Sequence, residues 1–445
     1  MSDQRREFLK KTAALTALTG VAGCVGVSET TETSAPTEGD GGDGNSGDGG
    51  SGDESTTTTE EEGLSVVEPE NSGGTAELWH ARREAEKRSL EAQIETFNGE
   101  YDQQVKPSEI AELGTKTETA IPAGKGPHSF DHAHDWAGKY YQNGWVVDAS
   151  DDLRVDPDEY FTSTGADATQ FDGATVGLPY AAETVGLVYN TDIVDEPPET
   201  FEEMKSIMDD YHAPSDGKYG LSYPVNSYFQ SAWMHAFGGF YYDDANDELG
   251  LTNQETVDGL EFIVNQLAPY MPDSPDYGAQ AEAFKQGRAP FAINGPWFLG
   301  GARDAGVSLD VTSFPTVDGN EPSPYTGVKL LFFSKQMGEG KDANATASRE
   351  FIEWYTTNPD VLKGLADEHA YIPVHKELAE SDDLSPTVSG YASAVSQGIP
   401  MPTNPKMQGV WGPTDGALKR AFNGQQTPKK ALEQAETEVR ENWNS

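Results

Sequence analysis

The chain has 445 residues, enough for two or three domains, with 30 Lys and Arg against 75 Asp and Glu and a formal charge of −45. A surface this acidic repels nucleic acid and anionic membrane, which argues against a DNA- or RNA-binding role. The acids are scattered through the whole chain, so the composition reads as adaptation to high salt and points to a salt-loving archaeal source.

The only cysteine is Cys24, which excludes an internal disulfide framework and a multi-thiolate metal site. Its setting supplies a role. Arg5-Arg6-Glu7-Phe8-Leu9-Lys10-Lys11 precedes a short apolar run of small residues, Ala13 to Gly23. That run is too short to span a bilayer, which takes about 20 residues. A basic start, a short apolar stretch and a small-residue end make a secretory signal, here resembling the twin-arginine type with Gln4 at a position usually Ser or Thr. Val21-Ala22-Gly23-Cys24 resembles a lipobox, with Cys24 as the site of lipidation and membrane anchoring. Residues 25–74 hold 13 acids, no Lys or Arg and no aromatic residue, and are expected to be a disordered tether. The expected organisation is a signal peptide over 1–23 and a lipidated, acidic tether over 24–74.

The composition changes at Thr75, and all eight Trp lie beyond it. Ala76 to His80 reads as a strand. Arg83 to Asn98 has helical spacing, with Leu90, Ile94 and Phe97 on one face. Strands follow at Thr175–Pro179 and Val185–Tyr189. Thr200 with Glu203 forms a capping box that opens a helix running through Met208. Glu255–Leu267 and Ala279–Lys285 read as helices, Pro290–Asn294 as a strand, and Ala347–Thr356 and Pro428–Trp443 as helices. Alternating strands and helices predict an α/β protein with open sheets.

Several segments stand in a telling order. Gly126-Pro127-His128 leads to His132-Ala133-His134-Asp135. Then come Leu178-Pro179-Tyr180-Ala181-Ala182-Glu183 and Leu187-Val188-Tyr189-Asn190. Phe284 to Arg288 leads to Ile293-Asn294-Gly295-Pro296-Trp297, and Met401-Pro402 and Met407 to Trp411 precede the last helices. This ordered set, from Thr75 to the C-terminus, resembles the maltose-binding branch of ABC-importer solute-binding proteins. The resemblance implies a two-lobe, periplasmic-binding-protein-like fold with the ligand cleft between lobes. Three crossings are placed near Tyr180–Glu183, Tyr325–Val328 and Ser385–Tyr391. Residues 75–182 with 327–385 would form one lobe, and 183–326 with 386–445 the other. The implied partners are a sugar ligand and the permease subunits of an ABC importer, with no cofactor.

A sugar offers hydroxyl pairs at its edge and C–H patches on its faces, so a sugar cleft combines carboxylates with aromatic rings. The resemblance carries ligand contacts onto Asp135, Glu183, Tyr228, Trp297 and Trp411. Trp79, Arg82 and Arg83 are further candidates at the end of the first strand, and Trp136 is a replacement stacking surface. This chain departs from the family pattern at three points. His132 replaces a Trp, Trp136 replaces an Arg, and Asn226-Ser227-Tyr228 replaces Glu-Pro-Tyr. Two rival readings are a glycoside hydrolase using Asp135 and Glu183, and a metal receptor using His128, His132, His134 and Asp135. A strongly raised pKa in one of the two carboxylates would favour the hydrolase. Asn344-Ala345-Thr346 is an N-glycosylation sequon.

Overall fold

The structure, a computed structural model, describes residues 66–338, 342–381 and 383–444. The expected signal peptide, Cys24 and the expected tether up to residue 65 lie outside the described residues.

Ten strands build the two main sheets. They are β1 (Thr75–His80), β2 (Gln104–Glu109), β3 (Ser129–Ala133), β4 (Gly177–Glu183), β5 (Gly186–Asn190), β6 (Leu221–Ser222), β7 (Phe291–Asn294), β8 (Leu309–Thr312), β9 (Tyr325–Phe333) and β10 (Ile399–Pro400). The first sheet has six strands in the order β10-β9-β3-β1-β2, with β4 also paired to β9. The second has four, in the order β8-β5-β7-β6. β1 runs parallel to β2 and β3, whereas β9 is antiparallel to both β3 and β4. The chain therefore leaves the first sheet after β4, builds the second, and returns along β9. These two crossings lie side by side, with Gly327 opposite Glu183 and Val328 opposite Ala182.

β9 reads Tyr-Thr-Gly-Val-Lys-Leu-Leu-Phe-Phe, and every residue except Lys329 is buried. Such a strand is covered on both faces, and its side chains are divided between two layers. Val328, Leu330 and Phe332 join Trp79, Phe130 and Tyr140 in one apolar cluster. Leu331 and Phe333 join the other, with Leu90, Ile94 and Phe97 of α1 (Glu84–Glu100). The helical spacing of those three residues puts them on one stripe facing the sheet.

α2 (Phe201–Tyr211) begins with the capping box, both halves formed: Glu203 N–H donates to Thr200 Oγ1, and Thr200 N–H to Glu203 Oε2. α3 (Ser227–His235), α4 (Gln254–Phe262), α5 (Tyr277–Lys285) and α6 (Pro296–Asp304) follow. The helical run expected through Leu267 loosens into a π-helical turn at Ile263–Leu267. α7 (Ala343–Thr357) covers the first sheet. α8 (Pro386–Gln397) lies on β8, and α9 (Gln408–Phe422) and α10 (Pro428–Trp443) pack with each other and with α3 and α4. The second sheet's core gathers Leu187, Phe291 and Ile293 with Met204, Met208, Trp233, Leu432 and Val439.

Residues 66–74, expected in the tether, instead pack on the folded unit. Val67 is buried and its N–H donates to Thr357 Oγ1 at 3.0 Å. Arg154 Nη1 donates to Glu68 O at 2.7 Å, and Ser72 Oγ donates to Glu350 Oε2 at 3.1 Å. The Gly- and acid-rich composition hid the short apolar Val66-Val67 pair and the Glu70 carboxylate that pairs with Arg154.

α8 approaches β8 closely through Gly390, where an added Cβ would stand 2.1 Å from the Val311 carbonyl oxygen. Backbone cannot yield as a side-chain tip can. Gly390→Ala is expected to destabilise the fold by roughly 1–3 kcal/mol, read as a lowered midpoint in denaturant. An unchanged midpoint would show that this helix seat is not tight.

Candidate functional site

The cleft opens at the carboxyl ends of β1, β3 and β7, where open α/β sheets bind ligands. It holds a cavity of about 470 Å³. One wall is the Ala81–Glu86 run with Asp131, His132 and Lys329; the other carries Tyr277, Lys285, Trp297, Gly300 and Gly301.

Arg82 forms the floor. It is buried, and its Nε donates to Asp131 Oδ2 at 2.6 Å, while Nη1 donates to the Tyr355 hydroxyl at 2.8 Å. Its guanidinium lies 4.5 Å from the Tyr180 ring centroid. Burial works against the Asp131 carboxylate, but Arg82 and Lys329 beside it, with hydrogen bonds from Arg82 and Tyr180, hold its pKa below the usual value. Arg82 Nη2 has no hydrogen-bond partner among the described residues. A buried donor in that state calls for an acceptor, and Arg82 lines the cavity. Arg83 is exposed at the rim of the same cavity.

Asp135 sits just beyond β3 in a single 3₁₀ turn, His134–Trp136. His134 holds that turn in place by accepting from Val328 N–H at 3.0 Å through Nδ1. Asp135 is buried, and Gln408 Nε2 donates to both its backbone oxygen and Oδ2 at 3.1 Å. Burial pushes its carboxyl up to about 7; nearby Glu183 adds to the rise, while Gln408 and the Trp411 side chain oppose it. Glu183 ends β4 at the first crossing and accepts from Lys329 Nζ at 3.2 Å.

The aromatic residues come from the second wall and the last helices. Trp297 is the second residue of α6, set by Pro296 at the helix start. Tyr228 lies in the first turn of α3, with its ring 6.2 Å from Trp297 and a hydroxyl lacking any hydrogen-bond partner among the described residues. Trp411 lies inside α9 rather than in a loop, half-buried and edge-on to Tyr325 at 5.5 Å. Tyr277, which sequence reasoning missed, is the only large apolar side chain exposed among the described residues, at 42%. It lines the cavity and packs 5.9 Å from Phe229.

Two of the expected contacts are placed elsewhere. Trp79 is buried in the cluster beneath the first sheet, and its indole N–H donates to Glu77 Oε1 at 2.8 Å. Trp136 packs edge-on against His132 at 4.8 Å and beside Tyr140 at 5.6 Å, with Lys139 over its ring. Strand alternation and the 3₁₀ turn send both rings to the core. Lys329, Asp131 and Gln408 escaped the sequence reading, because only pairing across 49 to 273 residues brings them to their partners.

The histidines are engaged separately. His128 Nδ1 accepts from Glu77 N–H and His134 from Val328 N–H. Burial pushes His132 and His134 down to about 4, so both are neutral at physiological pH. No group of three or more His, Cys, Asp or Glu is arranged to hold a metal among the described residues.

Comparison with known proteins gives a consistent result. The family described as bacterial extracellular solute-binding protein matches residues 92–389. A maltotriose-binding protein of Pyrococcus abyssi (strain GE5 / Orsay) is 37% identical over 358 residues, covering 79% of this chain and 78% of that protein. A maltooligosaccharide ABC transporter solute-binding lipoprotein of Streptococcus pneumoniae (strain ATCC BAA-255 / R6) is 25% identical, covering 69% of this chain and 74% of its own length. The crystal structure of a cyclo/maltodextrin-binding protein complexed with maltotetraose superposes with a TM-score of 0.69 at 26% identity, covering 83% of this chain and 97% of that one.

Asp135 also makes stability depend on pH. The folded protein keeps a proton that the unfolded chain releases near 3.8, so this group's stabilisation is complete below that value and is lost as pH rises through about 7. Asp135→Asn, which mimics the neutral acid, should escape that loss. The melting-temperature gain of the variant over wild type is expected to widen from pH 5 to pH 8; a constant difference would place the Asp135 pKa in the ordinary range.

Proposed function

The chain belongs to the bacterial extracellular solute-binding protein family, and on that premise we propose that it captures a short glucose oligosaccharide of the maltotriose class and delivers it to the permease of an ABC importer. The observation that carries this reading is the composition of the cleft. Tyr277 and Trp297 line the cavity, Tyr228 lies 6.2 Å from Trp297 and beside the Asp135 and Glu183 carboxyls, and the Trp411 side chain meets Asp135. Rings cover the C–H faces of glucose units, and carboxyls and Arg82 take the hydroxyl edges. Asp135, Glu183, Tyr228, Trp297, Trp411, Arg82 and Arg83 are therefore the proposed ligand contacts, and Tyr277 joins them. Hinge motion about the paired crossings of β4 and β9 would close the lobes on the sugar.

The role is binding rather than catalysis. Asp135 does meet one expectation of a hydrolase acid, a pKa raised to about 7, but burial is the first cause of that rise. Glu183 is ion-paired to Lys329, and the related proteins carry binding names. Chromatography of maltotetraose incubated with the protein should show intact sugar; release of glucose or maltose would restore the hydrolase.

Titration calorimetry of the exported protein in concentrated salt tests the ligand. Maltotriose and maltotetraose are expected to bind, with a galacto-oligosaccharide as the comparison. Trp297→Ala and Trp411→Ala should each weaken binding roughly ten- to a hundred-fold with the fold intact. Absence of any binding by glucose oligosaccharides would overturn the assignment.

Export and anchoring belong to the same proposal. The twin-arginine-like signal would carry the protein out of a salt-adapted cell, and lipid on Cys24 would hold it at the outer face of the membrane. Residues 25–65 would then let the folded unit move above the permease. Cys24→Ser should shift the protein from the membrane fraction to the medium; retention in the membrane would remove Cys24 as the anchor.

A further inference from the structure

Lys329 alone on β9 escapes full burial, yet its ammonium is surrounded by charge. Nζ lies 3.2 Å from Glu183 Oε2, and Glu183, Asp131 and Glu86 keep the amine protonated against the cost of burial. Strand register explains the arrangement. Along one edge of β9, Gly327 stands opposite Glu183 and Lys329 opposite Ala181. Along the other, Lys329 stands opposite Ala133 and Leu331 opposite Asp131. Glu183 and Asp131 are thus diagonal neighbours of Lys329 on one sheet face, within reach of a long side chain.

Two local features open that space. Gly327 has no side chain, and a Cβ there would stand 3.1 Å from Glu183 Cγ and 2.8 Å from Met401 Cε. Between Lys329 and Leu330 the pairing with β4 skips Tyr180, which makes a bulge. Bulges re-aim side chains, and Tyr180 donates its hydroxyl to Asp131 while its ring lies against Arg82. A continuous line of charge therefore runs from Glu183 through Lys329 and Asp131 to Arg82.

We propose that Lys329 is the positioning residue of the cleft, locking Glu183 at the crossing to the Arg82–Asp131 pair so that ligand acceptor and ligand donor are set as one array. This rests on the cleft taking a sugar. The groups facing Lys329 are Glu183 from β4, Asp131 and His132 from β3, Arg82 from the loop after β1 and Glu86 from α1; Asp135 and Tyr228 face Glu183. Without the ammonium, Glu183 loses its hydrogen bond and ion pair to Lys329, and with them its tie to the Arg82–Asp131 pair.

Calorimetry of the full chain with maltotriose, with melting temperature measured alongside, decides the matter. Lys329→Met should weaken binding roughly ten- to a hundred-fold. Lys329→Arg should recover part of the affinity. If the Met variant does not fold, Lys329→Gln carries the same expectation. A Met variant that melts earlier but binds with wild-type affinity, or an Arg variant that restores the melting temperature without restoring affinity, would reduce Lys329 to a structural role and overturn the proposal. If wild type binds no glucose oligosaccharide, the sugar reading itself falls and takes this one with it.

Discussion

A guanidinium cannot be buried alone, and the ion pair between Arg82 and Asp131 organises this molecule around that constraint. The side chains are 3% and 4% exposed, so neither charge can fall back on water. Breaking such a pair by removing one partner typically costs about 3–5 kcal/mol. The pair therefore constrains everything it touches. It ties the loop after β1 to β3, engages the hydroxyls of Tyr180 and Tyr355, and through Tyr355 reaches α7. One donor of Arg82 remains for the cleft. The same contacts that hold the first sheet together present that donor to a ligand.

Two carboxyl groups at the cleft are given opposite surroundings. Glu183 meets an ammonium, whereas Asp135 meets an amide, an indole and a covering of apolar contacts. Environment therefore makes one an ion-pair member and leaves the other a carboxyl that holds its proton near pH 7. A protein with an acid excess throughout its sequence keeps its cleft floor balanced, since Arg82 and Lys329 answer Asp131 and Glu183. That balance suits an uncharged ligand rich in hydroxyls.

Local patterns made part of the fold legible in advance. The stripe Leu90, Ile94 and Phe97 announced α1, the Thr200–Glu203 box announced α2, and the apolar run ending at Asn294 announced β7. β3 was not legible, because Asp131 and His132 look polar while serving as strand residues beside the cleft. β9 was read only at its start, as a crossing, since a strand buried on both faces has no alternation to recognise. Trp79 and Trp297 are both tryptophans near strand ends, yet the first is core and the second lines the cavity. Periodicity cannot separate them, since the difference lies in which layer covers each ring.

The class of the protein was legible along the chain: an acidic composition, a signal-like start with one cysteine, alternating elements, and an ordered set of segments that mark the family. It also offered Asp135, Glu183, Trp297 and Trp411 as candidates, because those lie in contiguous runs that keep their order, and Tyr228 from a run that departs from the family pattern. Only the tertiary structure decided which charges meet. Arg82 with Asp131, Lys329 with Glu183 and Gln408 with Asp135 are separated by 49, 146 and 273 residues. Strand register, a bulge at Tyr180 and the return of α9 to the cleft bring them together. Electrostatic interaction depends on distance and burial, and neither is written along the chain.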